Sequence, residues 1–317
     1  MVSDIYKAIS LDTLLPQSLP GVALFLKLKD KFVLYKGPGA AFTEKDKARL
    51  LENNTEEIYV YSGEISNYNQ YVESNINTFL HDEKLTPIKR QEILCNISIN
   101  YMQEIFNTPS KYVKQNLDRC RLLIKHILSE KLGTSTLLET LGGLIQHSSY
   151  TYAHSVQVCS YTIALHSLMF NLDEDELIDI GVGAIFHDYG KIYIPTEILD
   201  KPGNLEQLEF YEVKKHCEYG YDLLKMLDVF SPVSLDIVKH HHEKLNGRGY
   251  PDGLNGTDIS KSSRIAAIAD VYSALTTKRA YRDALDRESA FEIMRNDMAG
   301  SFDVHYLSIF SAMLAGE

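Results

Sequence analysis

The side chains most able to do chemistry lie in the C-terminal half of the sequence: His154, the pair His187-Asp188, His216, the pair His241-His242, and Asp270. Imidazole and carboxylate are donors for first-row transition ions, and two such ions held side by side can drive hydrolysis of a phosphodiester. A glycine-rich loop, Asn246-Gly247-Arg248-Gly249-Tyr250-Pro251, begins shortly after the last His pair. Together these residues point to metal-assisted cleavage of a phosphodiester.

Each donor carries its own argument. His187-Asp188 ends the apolar run Ile180 to Phe186 and is followed by Gly190 and Lys191. Burying an imidazole and a carboxylate unpaired costs several kcal/mol, whereas the two carboxylate oxygens could bridge two cations while the imidazole binds one of them. His240, His241 and His242 sit on an expected helix, where consecutive positions rotate by about 100°. No more than two of them can readily address one site, so one stands aside. Glu243 and the glycines beyond it suggest that the helix stops there and frees the last two imidazoles. Asp270 lies in the apolar stretch RIAAIADVYSAL, where a lone carboxylate needs a partner. His126, His147, His166 and His305 have no polar companions and are expected to be surface or hydrogen-bonded core histidines. His81-Asp82 falls in a polar stretch without matching partners and is set aside.

These donors must be positioned by a chain of 317 residues, 44% hydrophobic and 24% charged, which has room for one or two cores. The net charge of −11 argues against a nucleic-acid polymer as partner. No run of about 18 apolar residues and no leader pattern occurs, so a cytoplasmic protein without membrane attachment is expected. Cys95, Cys120, Cys159 and Cys217 form no close pair and read as reduced, buried thiols. Residues 22 to 35 predict a hairpin turning at Lys29-Asp30-Lys31. Thr43 predicts an N-cap with Asp46 three residues on, and residues 56 to 61 return to strand. Beyond Pro87 the apolar spacing becomes three and four residues, which predicts helices to the end. The expected fold is mainly α, with a C-terminal helical bundle behind a small N-terminal α/β module. Its parts are residues 1–85 as an input or docking module, 86–140 as a helical connector, and 141–317 as the metal-dependent phosphohydrolase domain.

The segments YAHSVQV, HDYGK, HCEYG, HHEKLNGRGYP, RIAAIADVYSALTTKRAYR and GSFDVHYLSIF, in that order, resemble the HD-GYP phosphodiesterases, a bacterial branch of the HD hydrolase superfamily specialised for cyclic di-GMP. The resemblance covers roughly residues 140 to 315. It implies one metal held by His154, His187 and Asp270, a second held by His216, His241 and His242, and Asp188 bridging them, with His240 left out. It implies hydrolysis of cyclic di-GMP to pGpG, and on to GMP, by a hydroxide bridging the metals. Iron is the first choice of metal, with manganese and then zinc as alternatives. Lys191 would neutralise a phosphate oxygen, Arg279 and Arg282 would meet phosphate or guanine, and Tyr250 could stack on a base. The Gly249-Tyr250-Pro251 loop would line the site or dock signalling proteins, and the apolar spacing of residues 90 to 140 would suit a homodimer.

The chain departs from that family pattern in several places. Tyr150 stands where some relatives carry a third-metal Glu, so two metals are expected. Glu243-Lys244-Leu245-Asn246 replaces an aromatic and an Asp ahead of the glycine, Ala280 replaces a Pro, and Tyr189 and Cys217 replace the usual neighbours of the HD pair and of the next His. These changes leave a second reading open: a weakly catalytic protein that binds a cyclic dinucleotide as a receptor. A hydrolase for a different phosphoester is a third.

Overall fold

The computed structural model describes residues 5–29, 31–55, 57–109, 112–129, 150–278 and 283–316. The chain divides into two compact units, Met1–Ile97 and Ser98–Glu317.

In the first unit four strands, β1 (Tyr6–Ser10), β2 (Leu24–Leu28), β3 (Lys31–Lys36) and β4 (Glu57–Tyr61), form one antiparallel sheet in the order β1-β4-β2-β3. The β2–β3 hairpin pairs Leu28 with Lys31 across the expected turn. β4 lies between two neighbours, and its alternate residues Ile58 and Val60 are fully buried, which is the period-2 pattern of a strand with one face on a core. Helix α1 (Glu44–Glu52) starts with the capping box predicted from Thr43 and Asp46. Three elements were not expected. β1 is short and polar, and it is defined by its pairing of Tyr6 with Tyr61, a partner distant in sequence. Helices α2 (Ile65–Ser74) and α3 (Ile76–Leu80) form ahead of Pro87, because Tyr68, Val72, Ile76 and Leu80 recur at four-residue spacing and are buried.

Helix α4 (Pro87–Asn107) contains the division between the units, and α5 (Val113–Ser129) follows it. The second unit continues with α6 (Tyr150–Met169), α7 (Glu174–Ile185), α8 (Thr196–Leu199), α9 (Gln207–Lys214) and α10 (His216–Met226). It closes with α11 (Pro232–His240), α12 (Lys261–Thr276), α13 (Arg287–Arg295) and α14 (Val304–Ala315). α6 is buried on every side from Ala153 to His166, as a helix at the centre of a bundle must be, and it packs on α7 and α12. α7 begins at a capping box of Asp173 and Glu176 and buries Ile180, Val182 and Ile185, each burial contributing about 1.5–3 kcal/mol. Ser234 Oγ donates to the Asp179 carbonyl at 2.6 Å and so fastens α11 to α7. Among the described residues no helix is long and apolar enough to cross a membrane.

Candidate metal centre

The chain path aims the donors. His187 and Asp188 leave the C-terminal end of α7 and enter a short 3-10 segment, Tyr189–Tyr193. Gly190 lets that segment touch the start of α10: a Cβ there would fall 2.0 Å from the His216 carbonyl oxygen and 2.5 Å from the Gly220 nitrogen. Any larger residue would push His216 away from Asp188. α11 ends at His240; His241, its C-cap, keeps a helical backbone and bonds its N–H to the Ile237 carbonyl, while His242 lies in the turn beyond.

The outer nitrogens of four rings are committed elsewhere. His187 Nδ1 meets the Ala184 carbonyl at 2.7 Å, His216 Nδ1 the Val213 carbonyl at 2.6 Å, and His241 Nδ1 the Val238 carbonyl at 3.0 Å. A carbonyl only accepts, so each Nδ1 carries the proton and each Nε2 keeps its lone pair. His154 Nδ1 is 2.8 Å from Ser273 Oγ, whose own proton goes to Gln157 Oε1 at 2.6 Å; the serine oxygen therefore accepts from His154.

The four Nε2 atoms surround one carboxylate. Asp188 Oδ2 lies 3.4 Å from His187 Nε2 and 3.9 Å from His154 Nε2, while Oδ1 lies 3.4 Å from His216 Nε2 and 4.0 Å from His241 Nε2. Asp270 Oδ1 sits 3.0 Å from His154 Nε2 and 3.8 Å from His187 Nε2, and its Oδ2 is 3.5 Å from His242 Nδ1. Two groups of donors result, one of His154, His187 and Asp188, the other of His216, Cys217, His241 and His242.

Electrostatics favour the metal-binding protonation state of these groups, His187 excepted. Burial drives His154, His216, His241 and His242 toward the neutral form, with the pKa of His216 lowered to about 3 and that of His242 to about 4. For His187 burial also opposes the charge, yet the adjacent Asp188 and Asp270 carboxylates outweigh it and raise the pKa. Burial disfavours charge on Asp188 too, but Lys191, His187 and His216 overcome it and hold the carboxyl well below its usual range. Asp270 is held low in the same way, its burial outweighed by His154 and His242. Neutral imidazoles and ionised carboxylates are the metal-binding forms.

The other sequence-predicted residues are spread around this centre. Lys191 Nζ is 2.5 Å from Asp188 Oδ2. The Tyr250 ring lies over His242, with centroids 4.7 Å apart. His240 turns away, bonding Asp236 at 2.8 Å and Asp252 at 3.0 Å, and so ties α11 to the loop after Pro251. Arg279, Arg282 and His147 lie outside the described residues. His166 is a hydrogen-bonded core histidine, held by the Thr162 carbonyl and Ser262.

Sequence reasoning gave several residues no part in the site. Glu243 is buried, and its Oε1 accepts from the Asp252 and Gly253 amides at 2.7 and 2.9 Å, pinning the loop that carries Tyr250. Gly249 makes this possible, since a Cβ there would fall 2.4 Å from the Glu243 Cα. Lys214 Nζ lies 4.7 Å from the Phe210 ring centre and 5.3 Å from that of Tyr250, which puts a cation beside two aromatic rings, of which Tyr250 adjoins His242. Cys217 Sγ is 3.5 Å from His216 Nε2, and burial pushes its thiol well above the ordinary range. Its position directly after a candidate ligand was the available signal.

Two buried atoms test whether the residues suit a metal pair. His187 Nε2 and Asp188 Oδ1 have no hydrogen-bond partner, although an orphaned buried polar atom costs about 1–3 kcal/mol. Both face the centre, one on each side of the Asp188 carboxylate, where a cation would satisfy them. The mixed nitrogen and oxygen set suits iron, manganese or zinc better than calcium or magnesium.

Comparison with known proteins gives three kinds of likeness. The HD domain family profile matches residues 142–305. Cyclic di-GMP phosphodiesterase PA4108 of Pseudomonas aeruginosa is 35% identical over 188 residues, which are 59% of this chain and 45% of that protein. The 3′3′-cGAMP-specific phosphodiesterase 3 of Vibrio cholerae is 37% identical over 156 residues, 49% of this chain and 34% of that one. The chain thus spans less than half the length of these two curated relatives. Among solved structures, Bd1817, an HDG"Y"P protein from Bdellovibrio bacteriovorus, has the same fold, with a TM-score of 0.70 at 22% identity over 98% of this chain and 100% of that one.

Proposed function

The chain belongs to the HD domain family, and on that premise we propose that it is a dinuclear-metal phosphodiesterase that opens cyclic di-GMP to pGpG and carries it on to GMP. The observation that carries the reading is the arrangement of four lone-pair Nε2 atoms about the two oxygens of a single buried carboxylate, Asp188. His154, His187 and Asp270 would hold one ion, His216, His241 and His242 the other, and Asp188 would bridge them. When bound, two such ions lower the pKa of a water between them and stabilise charge on the attacked phosphate.

The protein's own residues do the remaining work. The carbonyls of Ala184, Val213 and Val238 and the Ser273 hydroxyl hold the rings in the tautomer that faces inward. Lys191, whose side chain is 29% exposed, can exchange its contact with Asp188 for a non-bridging phosphate oxygen. Tyr250, backed by His242 and fixed through Glu243, gives a base an aromatic surface at the edge of the centre, with Arg279 and Arg282 as further substrate contacts. Iron is the first candidate metal, followed by manganese and zinc. Arg248 and Asp252 are exposed on either side of Gly249-Tyr250-Pro251, so a signalling protein could dock there. Residues 1–85 would serve as input module and 86–140 as connector to the hydrolase domain.

The test is anaerobic purification, loading with iron or manganese, and chromatography of cyclic di-GMP beside an Asp188→Ala control. Formation of pGpG that is lost in the control supports the reading; binding without turnover replaces it with the receptor reading. The cGAMP specificity of the Vibrio cholerae relative favours 3′3′-cGAMP as a second substrate, to be run in parallel. Faster turnover of 3′3′-cGAMP would reassign the substrate while leaving the chemistry intact.

A further inference from the structure

The second donor group contains a thiol that the His and Asp description leaves out. Cys217 follows His216 in α10, is fully buried, and places Sγ 3.5 Å from His216 Nε2. Donor atoms of His216, Cys217, His241 and His242 all lie within 4.8 Å of one another. Among the described residues, Cys95, Cys120 and Cys159 join no such group. Successive helix positions diverge by about 100°, so two neighbours seldom address one point. Here they do, because His216 is the first residue of the helix and its ring is anchored back on the Val213 carbonyl.

The spacing matches that of a shared ion. Neighbouring donors about 90–110° apart on one ion, bound at about 2.0–2.1 Å by imidazole and about 2.3 Å by thiolate, lie roughly 2.9–3.4 Å apart for two nitrogens and roughly 3.1–3.6 Å apart for nitrogen and sulfur. His216 Nε2 and His241 Nε2 are 3.3 Å apart, and His216 Nε2 and Cys217 Sγ are 3.5 Å apart. Asp188 Oδ1, buried and without a hydrogen-bond partner, faces the same place from 3.4 Å. We propose that Cys217 is a thiolate ligand of the second metal ion, making this half of the centre a Cys/His site that selects a thiophilic ion, zinc or ferrous iron, over manganese. The inference rests on the dinuclear centre proposed above. On binding, the S–H bond breaks, a sulfur–metal bond forms, and the proton leaves to solvent. A thiolate on one side only also makes the two halves unequal in metal preference, since soft sulfur favours zinc and iron whereas the His and carboxylate half accepts manganese.

Cobalt(II) provides a probe independent of turnover. The metal-free protein, titrated anaerobically with cobalt(II), is expected to develop a sulfur-to-cobalt charge-transfer band in the near ultraviolet. Cys217→Ser should lose the band while still folding by circular dichroism, and His187→Ala, altered in the other half, should keep it. Cys217→Ser should also lower the preference for zinc over manganese by about tenfold or more. Cobalt bound by the wild type without a sulfur band overturns the inference and leaves the metal centre standing, and so does a band unchanged in Cys217→Ser. If Cys217→Ser does not fold, the wild-type band together with its persistence in Cys159→Ser supports the proposal, and loss of the band in Cys159→Ser overturns it. Failure of the wild type to bind cobalt at all would remove the centre itself, and this proposal with it.

Discussion

The dipeptide His-Asp occurs twice in this protein, as His81-Asp82 in the first unit and as His187-Asp188 in the second. His81 is exposed after α3 with Nδ1 on the Asn77 carbonyl at 2.8 Å, and Asp82 accepts from the Lys84 amide at 2.9 Å. Both partners are within four residues along the chain. The second pair is 0% and 2% exposed, and it meets His154, His216, His241 and Asp270 from four other places in the sequence. The same two side chains are satisfied locally where water reaches them and become a candidate ligand set where burial removes water and packing supplies partners.

Breaking the second pair should have the largest effect. Asp188→Ala should lower turnover of cyclic di-GMP on the order of 10³-fold or more, measured by chromatography, whereas Asp82→Ala should leave it unchanged. Next, His187→Ala should remove about one bound metal per chain by elemental analysis. His81→Ala should remove none, and unchanged stoichiometry in His187→Ala would sink the ligand assignment. A chelator should then lower the thermal midpoint of the loaded protein, since metal present at about 1,000 times its Kd contributes about 4 kcal/mol. That difference should nearly vanish in Asp188→Ala.

His166 sharpens the comparison from a third direction, as a buried histidine with no metal neighbours. Burial lowers its pKa to about 4, only partly offset by the Thr162 carbonyl. Between the ordinary histidine value and about 4 the unfolded chain therefore binds more protons than the folded one. Stability from this residue is complete above that window and is lost as pH falls through it, by roughly 3 kcal/mol in all. Denaturant titrations at several pH values should show this slope flattened in His166→Asn. The smallest effect belongs to the exposed pair: His81→Ala and Asp82→Ala should each change stability by less than about 0.5 kcal/mol.

Local features were legible in the sequence. Thr43 with Asp46 marks a helix start from within one turn, and the spacing around Asp270 marks a helix too apolar to leave a carboxylate alone. β1 was not legible because its polar residues become a strand only by pairing with β4. Nor were Glu243, Phe210 and Lys214, whose places beside Tyr250 arise where α9 and α11 meet the loop. The HD domain match and the order of the donors were both present in the linear chain.

What the sequence determined alone was the inventory and order of donors, together with the helices that carry them, because residue type and helical period are local properties. Which oxygen of Asp188 faces which imidazole, that Ser273 fixes the lone pair of His154, and that Cys217 rather than another buried thiol joins His241 and His242 were decided only by tertiary structure. Those choices depend on contacts between segments far apart along the chain, and packing sets them to within fractions of an ångström.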